Sequence, residues 1–139
     1  MSAIQKSLRI PQETVQEIEQ LASESGSDFS SIAKDLLTEA IKMRHCPGII
    51  FAEGVTGRRA RVAGTGLEVW EIISTFKSVS QNFKRLKKAF HWLTEQQIRA
   101  AIGYYKAYRD EIDLQIKRNE SWSKKEIFER HPFLSKEQA

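Results

Sequence analysis

Gln5, Ser7 and Arg9 stand at alternate positions near the start of the chain, and their types suit the edges of nucleic-acid bases. Arginine bonds bidentately to guanine, glutamine to adenine, and serine to either. Period-two alternation sets them opposite Leu8 and Ile10, the face expected to be buried. Further on, Arg58, Arg59 and Arg61 form one basic cluster, and Lys84, Arg85, Lys87 and Lys88 a second. Such clusters suit phosphate contact, although a run of charge is also the ordinary make-up of a solvated face. The materials of catalysis are missing. Three histidines are scattered, no carboxylate pair sits in an apolar or glycine-shaped pocket signature, and no nucleophile elbow or metal-ligand spacing occurs. Cys46 is the single cysteine, so it has no internal disulfide partner, and with His45 it offers a metal only two ligands. The expectation is a protein that is not an enzyme, with no catalytic residues, no metal and no cofactor.

The 139 residues, 40% hydrophobic and 29% charged, are a normal mixture for a soluble chain with one ordinary domain or two very small ones. No run approaches the roughly 18 apolar residues of a membrane span, and Met-Ser-Ala-Ile-Gln-Lys lacks an apolar signal region, which points to a cytoplasmic protein with no membrane partner. The net charge of +4 is unevenly placed. Residues 1–45 hold five Lys/Arg against seven Asp/Glu, residues 46–119 hold 13 against seven, and the last twenty hold four against four. The surplus lies in the middle, where a phosphate-bearing partner would be met.

The elements that would position these residues begin with a strand, Ile4 to Ile10, that runs directly into a helix at Pro11, a residue suited to a first turn. That helix, to about Ser25, carries Val15, Ile18, Leu21 and Ala22 on one stripe, and Gly26 closes it. Asp28 is a good N-cap for a second helix to about Arg44, with Phe29, Ile32, Ala33, Leu36, Leu37, Ala40 and Ile41 as its apolar set. One strand and two short helices cannot bury so much apolar surface, and a single strand leaves its backbone groups unpaired. A symmetric dimer with antiparallel strands repairs both defects.

With its alternating strand, the Leu8-Arg9-Ile10-Pro11 junction, the Gly26-Ser27-Asp28 turn and the Ser-rich start of the second helix, the segment resembles the ribbon-helix-helix family of MetJ, Arc and CopG type. The resemblance covers about a third of the chain. It implies a two-stranded ribbon in the major groove, with Gln5, Ser7 and Arg9 reading base edges, and amides around Asp28, Phe29 and Ser30 holding a phosphate. Lys6 departs from the family, which usually has an apolar inward residue there. The bland alternative is a dimerisation module that does not bind DNA.

From Cys46-Pro47-Gly48 the character changes, and a domain boundary is placed near residue 47. Residues Gly54 to Gly66 read as loop and hairpin, with Ala60-Arg61-Val62 and Leu67-Glu68-Val69 alternating around the turn Ala63-Gly64-Thr65-Gly66. The glycine spacing matches neither phosphate-binding fingerprint. Helices are expected over Trp70 to Lys77, Ser80 to Phe90 and Thr94 to about Arg118, the last opened by a Thr94/Gln97 capping box. Ile98, Ala101, Ile102, Tyr105, Tyr108 and Ile112 form its inward stripe, and Lys106 with Asp110 and Arg109 with Asp113 its outer pairs. The aromatics Tyr104, Tyr105 and Tyr108 recur at helical spacing and read as core.

Gly57, Val62-Ala63-Gly64-Thr65, Val69-Trp70, Ile72-Ile73 and Leu93 to Ala101 make residues 54–114 similar to the family catalogued as domain of unknown function 433. The chain departs from it at Gly66, Glu68 and His91. The resemblance implies a small helical, winged-helix-like module of the VapB-like antitoxin type, encoded beside PIN-type ribonuclease toxins. The expected fold is thus mainly α: a dimeric ribbon-helix-helix over 1–46, a helical domain with a short β-hairpin over 47–118, and a tail over 119–139. The charged tail holds Trp122, Phe128 and Phe133 as apolar anchors for a partner. These expectations converge on a homodimeric antitoxin and autorepressor that binds operator DNA and a PIN-like toxin. A transcription regulator without a toxin, and a scaffold that binds no DNA, remain the alternatives.

Overall fold

The structure is a computed structural model that describes residues 2–54 and 57–130, with side chains described as far as Ser121. It is mainly helical, with six helices and one two-stranded antiparallel sheet among the described residues. None of these helices is long and apolar enough to cross a membrane. The chain divides into two compact units, residues 1–44 and 45–139.

In the first unit, α1 (Gln12–Ser25) starts after Pro11, whose fixed φ of −53° feeds the helix, and ends at Gly26 in the left-handed region with φ of 65°. Ile18 and Ala22 are its buried residues. The helix α2 (Phe29–His45) follows Asp28, whose Oδ1 accepts from the Ser31 amide at 2.8 Å. None of the α2 side chains is buried. The strand expected over Ile4 to Ile10 is absent: residues 2–10 take no helix or strand, and Leu8, assigned to a buried face, is 70% exposed. The physical reason is that a strand needs a second strand, and the described part of this unit offers none.

In the second unit, β1 (Ile49–Gly54) pairs antiparallel with β2 (Gly57–Val62) in the register Ile49 to Val62 through Gly54 to Gly57. This corrects the expected hairpin. Leu67 and Glu68 add only a bridge between Arg61 and Glu68 and a bond from the Val62 amide to the Leu67 carbonyl. Val69 already belongs to α3 (Val69–Ser78), opened by a capping box of Glu68 and Glu71. Ser80 and Gln81, expected to begin a helix, instead hold φ of 56° and 57°, turning the chain into α4 (Phe83–Ala89) capped by Asn82. Two non-glycine residues in that region cost about 1 kcal/mol or more each, so packing on both sides must hold them.

The expected long helix is two. α5 (Glu95–Ala107) carries the Thr94/Gln97 capping box, breaks at Tyr108 with φ of −131°, and is followed by α6 (Arg109–Arg130). Residues 119–130, expected as tail, continue α6. The break also rearranges the outer pairs: Asp113 accepts from Lys77 of α3 at 2.6 Å, and Arg109 lies over the Tyr105 ring. The core gathers Cys46, Ile49, Ala60 and Val62 with Val69, Ile72 and Ile73 of α3, Leu86 of α4, Ile98, Ala101, Tyr104 and Tyr105 of α5, and Ile112 and Ile116 of α6. Fully burying each aliphatic side chain contributes roughly 1.5–3 kcal/mol.

Candidate nucleic-acid interface

Gln5, Ser7 and Arg9 are all exposed, on a stretch with no regular structure within one chain. At the opening of α2, Phe29 is half-buried and Ser30 exposed. Asp28 occupies part of the proposed anion site itself. Its hydrogen bonds from Ser31, backbone first, hold its carboxyl below the ordinary value, so it is charged at neutral pH. A phosphate there would share the helix opening with a carboxylate, leaving it the amides ahead of Ser31.

The three hairpin arginines do not share one environment. On β2, Arg58 lies on the same side as buried Ala60 and Val62 but at the far end, and its Nη2 donates to the Phe51 carbonyl at 3.1 Å. Arg59 and Arg61 alternate to the other side, and the backbone of Arg61 forms a bridge with that of Glu68. Arg59 stands 3.9 Å from the Glu68 carboxylate, both side chains being largely covered. The Trp70 indole N–H donates to the same carboxylate. Arg61 Nε is buried with no hydrogen-bond partner among the described residues. Glu68 thus offsets one of the three charges, that of Arg59, and its oxygen passes so close to Gly54 that a Cβ there would lie 2.9 Å from it.

The α4 residues divide differently. Phe83, Leu86 and Phe90 turn inward, Leu86 completely buried. Lys84, Arg85 and Lys88 are exposed on the other side. Lys87 is half-buried and ties down the next turn, its Nζ donating to the Leu93 carbonyl at 2.8 Å and to that of His91 at 3.4 Å. It serves the fold, whatever the other three do. That turn presents Trp92, 61% exposed, with its ring edge-on to Phe90 at 5.5 Å and to His91 at 5.2 Å. Sequence reasoning passed over Trp92, although an aromatic four residues beyond a pair of lysines was a signal. The α4 helix packs chiefly on α3, and the hairpin on α3 and α5, so the two basic clusters belong to different parts of the unit.

A third group lies where the start of this unit meets the junction of α5 and α6. His45 Nδ1 lies 3.0 Å from the Tyr108 hydroxyl, and the Tyr104 hydroxyl donates to Glu111 at 2.5 Å. Burial, then the Glu111 carboxylate, push the Tyr104 hydroxyl far up, so it stays protonated. Burial likewise raises the Cys46 thiol, which disfavours the reactive thiolate. Among the described residues no three His, Cys, Asp or Glu side chains gather as a metal site. Of the tail anchors, Trp122 and Phe128 lie in α6 beyond the described side chains, and Phe133 lies outside the described residues.

The chain matches no family model, no curated protein and no solved structure.

Proposed function

We propose that the chain is a homodimeric ribbon-helix-helix repressor of operator DNA, and that its second unit with α6 serves as the antitoxin part that binds a PIN-like toxin. The observation that carries the first half is α2, a helix of 17 residues with none of its side chains buried. Leu36, Leu37, Ile41 and Met43 on it, together with Ile4, Leu8 and Leu21, are exposed by 37% to 80%. Water-exposed apolar side chains on that scale fit a surface that a second copy covers. The same pairing gives residues 4–10 their missing partner strand and fixes Gln5, Ser7 and Arg9 as neighbours on one ribbon. Residues two apart on a strand stand roughly 6–7 Å from one another, a spacing of about two base-pair steps. The toxin half rests on the resemblance alone.

A binding titration of the full chain on DNA flanking its own gene, beside scrambled DNA, tests the reading. Arg9→Ala should lose about 1–3 kcal/mol per contact and relax base preference at one position in each half-site. Operator binding equal to that of the parent would remove the ribbon as the reading head. For the toxin half, removal of residues 119–139 should weaken capture of the toxin and spare operator binding; unchanged toxin affinity would move the inhibitory surface elsewhere.

A further inference from the structure

We propose that α4 and the turn after it form a binding surface for single-stranded nucleic acid, with Lys84, Arg85 and Lys88 on its phosphates and Trp92 stacked on a base. This goes beyond the operator reading and does not depend on it, since it uses no residue of the first unit.

Three observations carry it. The stretch from Val79 to Thr94 contains four Lys/Arg and no Asp or Glu, and the carboxylate that follows it, Glu95, is bonded to Arg99. Leu86 is fully buried with Phe83 and Phe90 packed beside it, which fixes the rotation of α4 and turns Lys84, Arg85 and Lys88 to solvent together. Lys84 and Lys88, one helical turn apart, lie about 6 Å from each other along the axis. Trp92 then leaves 61% of its surface in water on a turn that Lys87 fastens by two carbonyl bonds and that Phe90 and His91 brace edge-on. A large apolar ring braced in this way, four residues beyond the last of the three exposed cations, has lost part of its ordering entropy in advance, which favours whatever stacks on it. The neighbouring Arg99, above the Phe83 ring at 4.7 Å and bonded to Glu95 at 2.7 Å, closes the basic edge without adding a free carboxylate.

The choice of a single strand follows from Trp92. A duplex keeps its base faces stacked and offers an outlying indole nothing but backbone, whereas an unpaired base has a free π-face. Stacking of this kind combined with a basic track is how single strands are held without sequence preference. The hairpin cluster is a poorer candidate, because Arg59 is largely covered and faces Glu68, and Arg58 donates to the Phe51 carbonyl.

The test uses the full chain and fluorescein-labelled oligo(dT) and oligo(U) of about 15 nucleotides, within the range one such surface spans, beside a scrambled duplex. Anisotropy should show the single strands bound more tightly than the duplex at equal salt. With about three phosphates engaged, log K should fall with log salt at a slope near −2. Trp92→Ala should weaken single-strand binding about tenfold with little change in slope, and Trp92→Phe should stay within a few-fold. The triple change Lys84→Gln, Arg85→Gln and Lys88→Gln should abolish most of the slope. Arg9→Ala should leave these oligonucleotides bound as before, so failure of the operator reading and of this one are told apart. A preference between oligo(U) and oligo(dU), which differ only in the 2′-hydroxyl, would identify the sugar and sustain the proposal in either direction. No binding by the parent, equal or tighter binding of duplex with Trp92→Ala neutral, or displacement by polyglutamate as effective as by unlabelled oligo(dT) would overturn it. Circular dichroism of each variant verifies folding, and the triple change, confined to exposed side chains, keeps the proposal open to refutation if a Trp92 variant unfolds.

Discussion

Replacing Leu37 by serine separates a dimer from a solvated helix by the size of its effect. Leu37 is 61% exposed within one chain, in the middle of α2. Complete burial of a leucine contributes roughly 1.5–3 kcal/mol, so covering the remaining surface contributes about 1–2 kcal/mol per copy. A two-fold interface contains the residue twice, and Leu37→Ser should therefore weaken the dimer by about 2–4 kcal/mol, roughly 30- to 700-fold in dissociation constant. Were the helix to face water, the same change would stay within about 0.5 kcal/mol. Serine is also a poorer helix former than leucine, so Lys34→Ser, at an exposed polar position of the same helix, is the reference for that loss. Sedimentation equilibrium gives the dissociation constant directly. Thermal melts at about 1 and 100 μM should show a midpoint that rises with concentration in the parent and in Lys34→Ser. A monomeric parent, or a Leu37→Ser chain that associates as the Lys34→Ser chain does, would refute the reasoning.

Other expectations concern the second unit. The Lys77 ammonium holds the Asp113 carboxyl below its ordinary 3.8, and Asp113 holds Lys77 above its ordinary 10.5, so the pair stabilises the fold between those values. Because the depressed group is the carboxyl, its share is lost as pH falls through the folded-state pKa of Asp113. Asp113→Asn, at a half-exposed pair, should cost about 0.5–1 kcal/mol at neutral pH, and acid titration of the melting midpoint should close the gap; a gap independent of pH would contradict the pairing. Tyr104→Phe removes the donor to Glu111 from a fully buried ring and should cost about 1–2 kcal/mol in urea unfolding, with an unchanged midpoint as the contrary result. Two glycine changes should have opposite signs. Gly48→Ala meets the Ala100 Cβ at 3.2 Å with φ of 90° and should destabilise by about 1 kcal/mol or more, whereas Gly103→Ala, in α5 with open space around it, should stabilise by about 0.5–1 kcal/mol.

Elements with their own punctuation were legible in the sequence. Pro11 and Gly26 bracket α1, Asp28 opens α2, and Thr94 with Gln97 opens α5, because each acts on backbone groups within a turn of itself. What escaped depends on partners far along the chain. The apolar run Ile49-Ile50-Phe51-Ala52 lacks alternation, and only the pairing with β2 makes it a strand. No glycine or proline marks Tyr108, where the helix ends with its hydroxyl 3.0 Å from His45 and its ring 4.9 Å from that of Tyr104. The positive φ at Ser80 and Gln81 likewise falls on residues with no preference for it, in a turn whose amides bond back to Lys77 and Phe76. Among the proposed contact residues, the sequence revealed the charges but not their use. Lys87 and Lys88 look alike as letters, yet one fastens a turn through Leu93 and the other is left exposed. The apolar set of α2 was legible as a set, while its exposure within one chain was not.

The way the second unit closes on itself has a consequence for its synthesis. Cys46 and Ile49 enter the same buried cluster as Ile112 and Ile116, so no nascent chain that stops short of α6 owns a complete core. α1 and α2, confined to the first 45 residues, leave the ribosome well before that point. At about 5–20 residues per second, the roughly 70 residues in between take several seconds to make. During that interval the apolar side of α2 is displayed on a tethered, half-made molecule, within reach of the same segment on the next ribosome along the message. In the proposed dimer, pairing between neighbouring nascent chains therefore competes with pairing between finished ones, and partners from one transcript have the earlier opportunity.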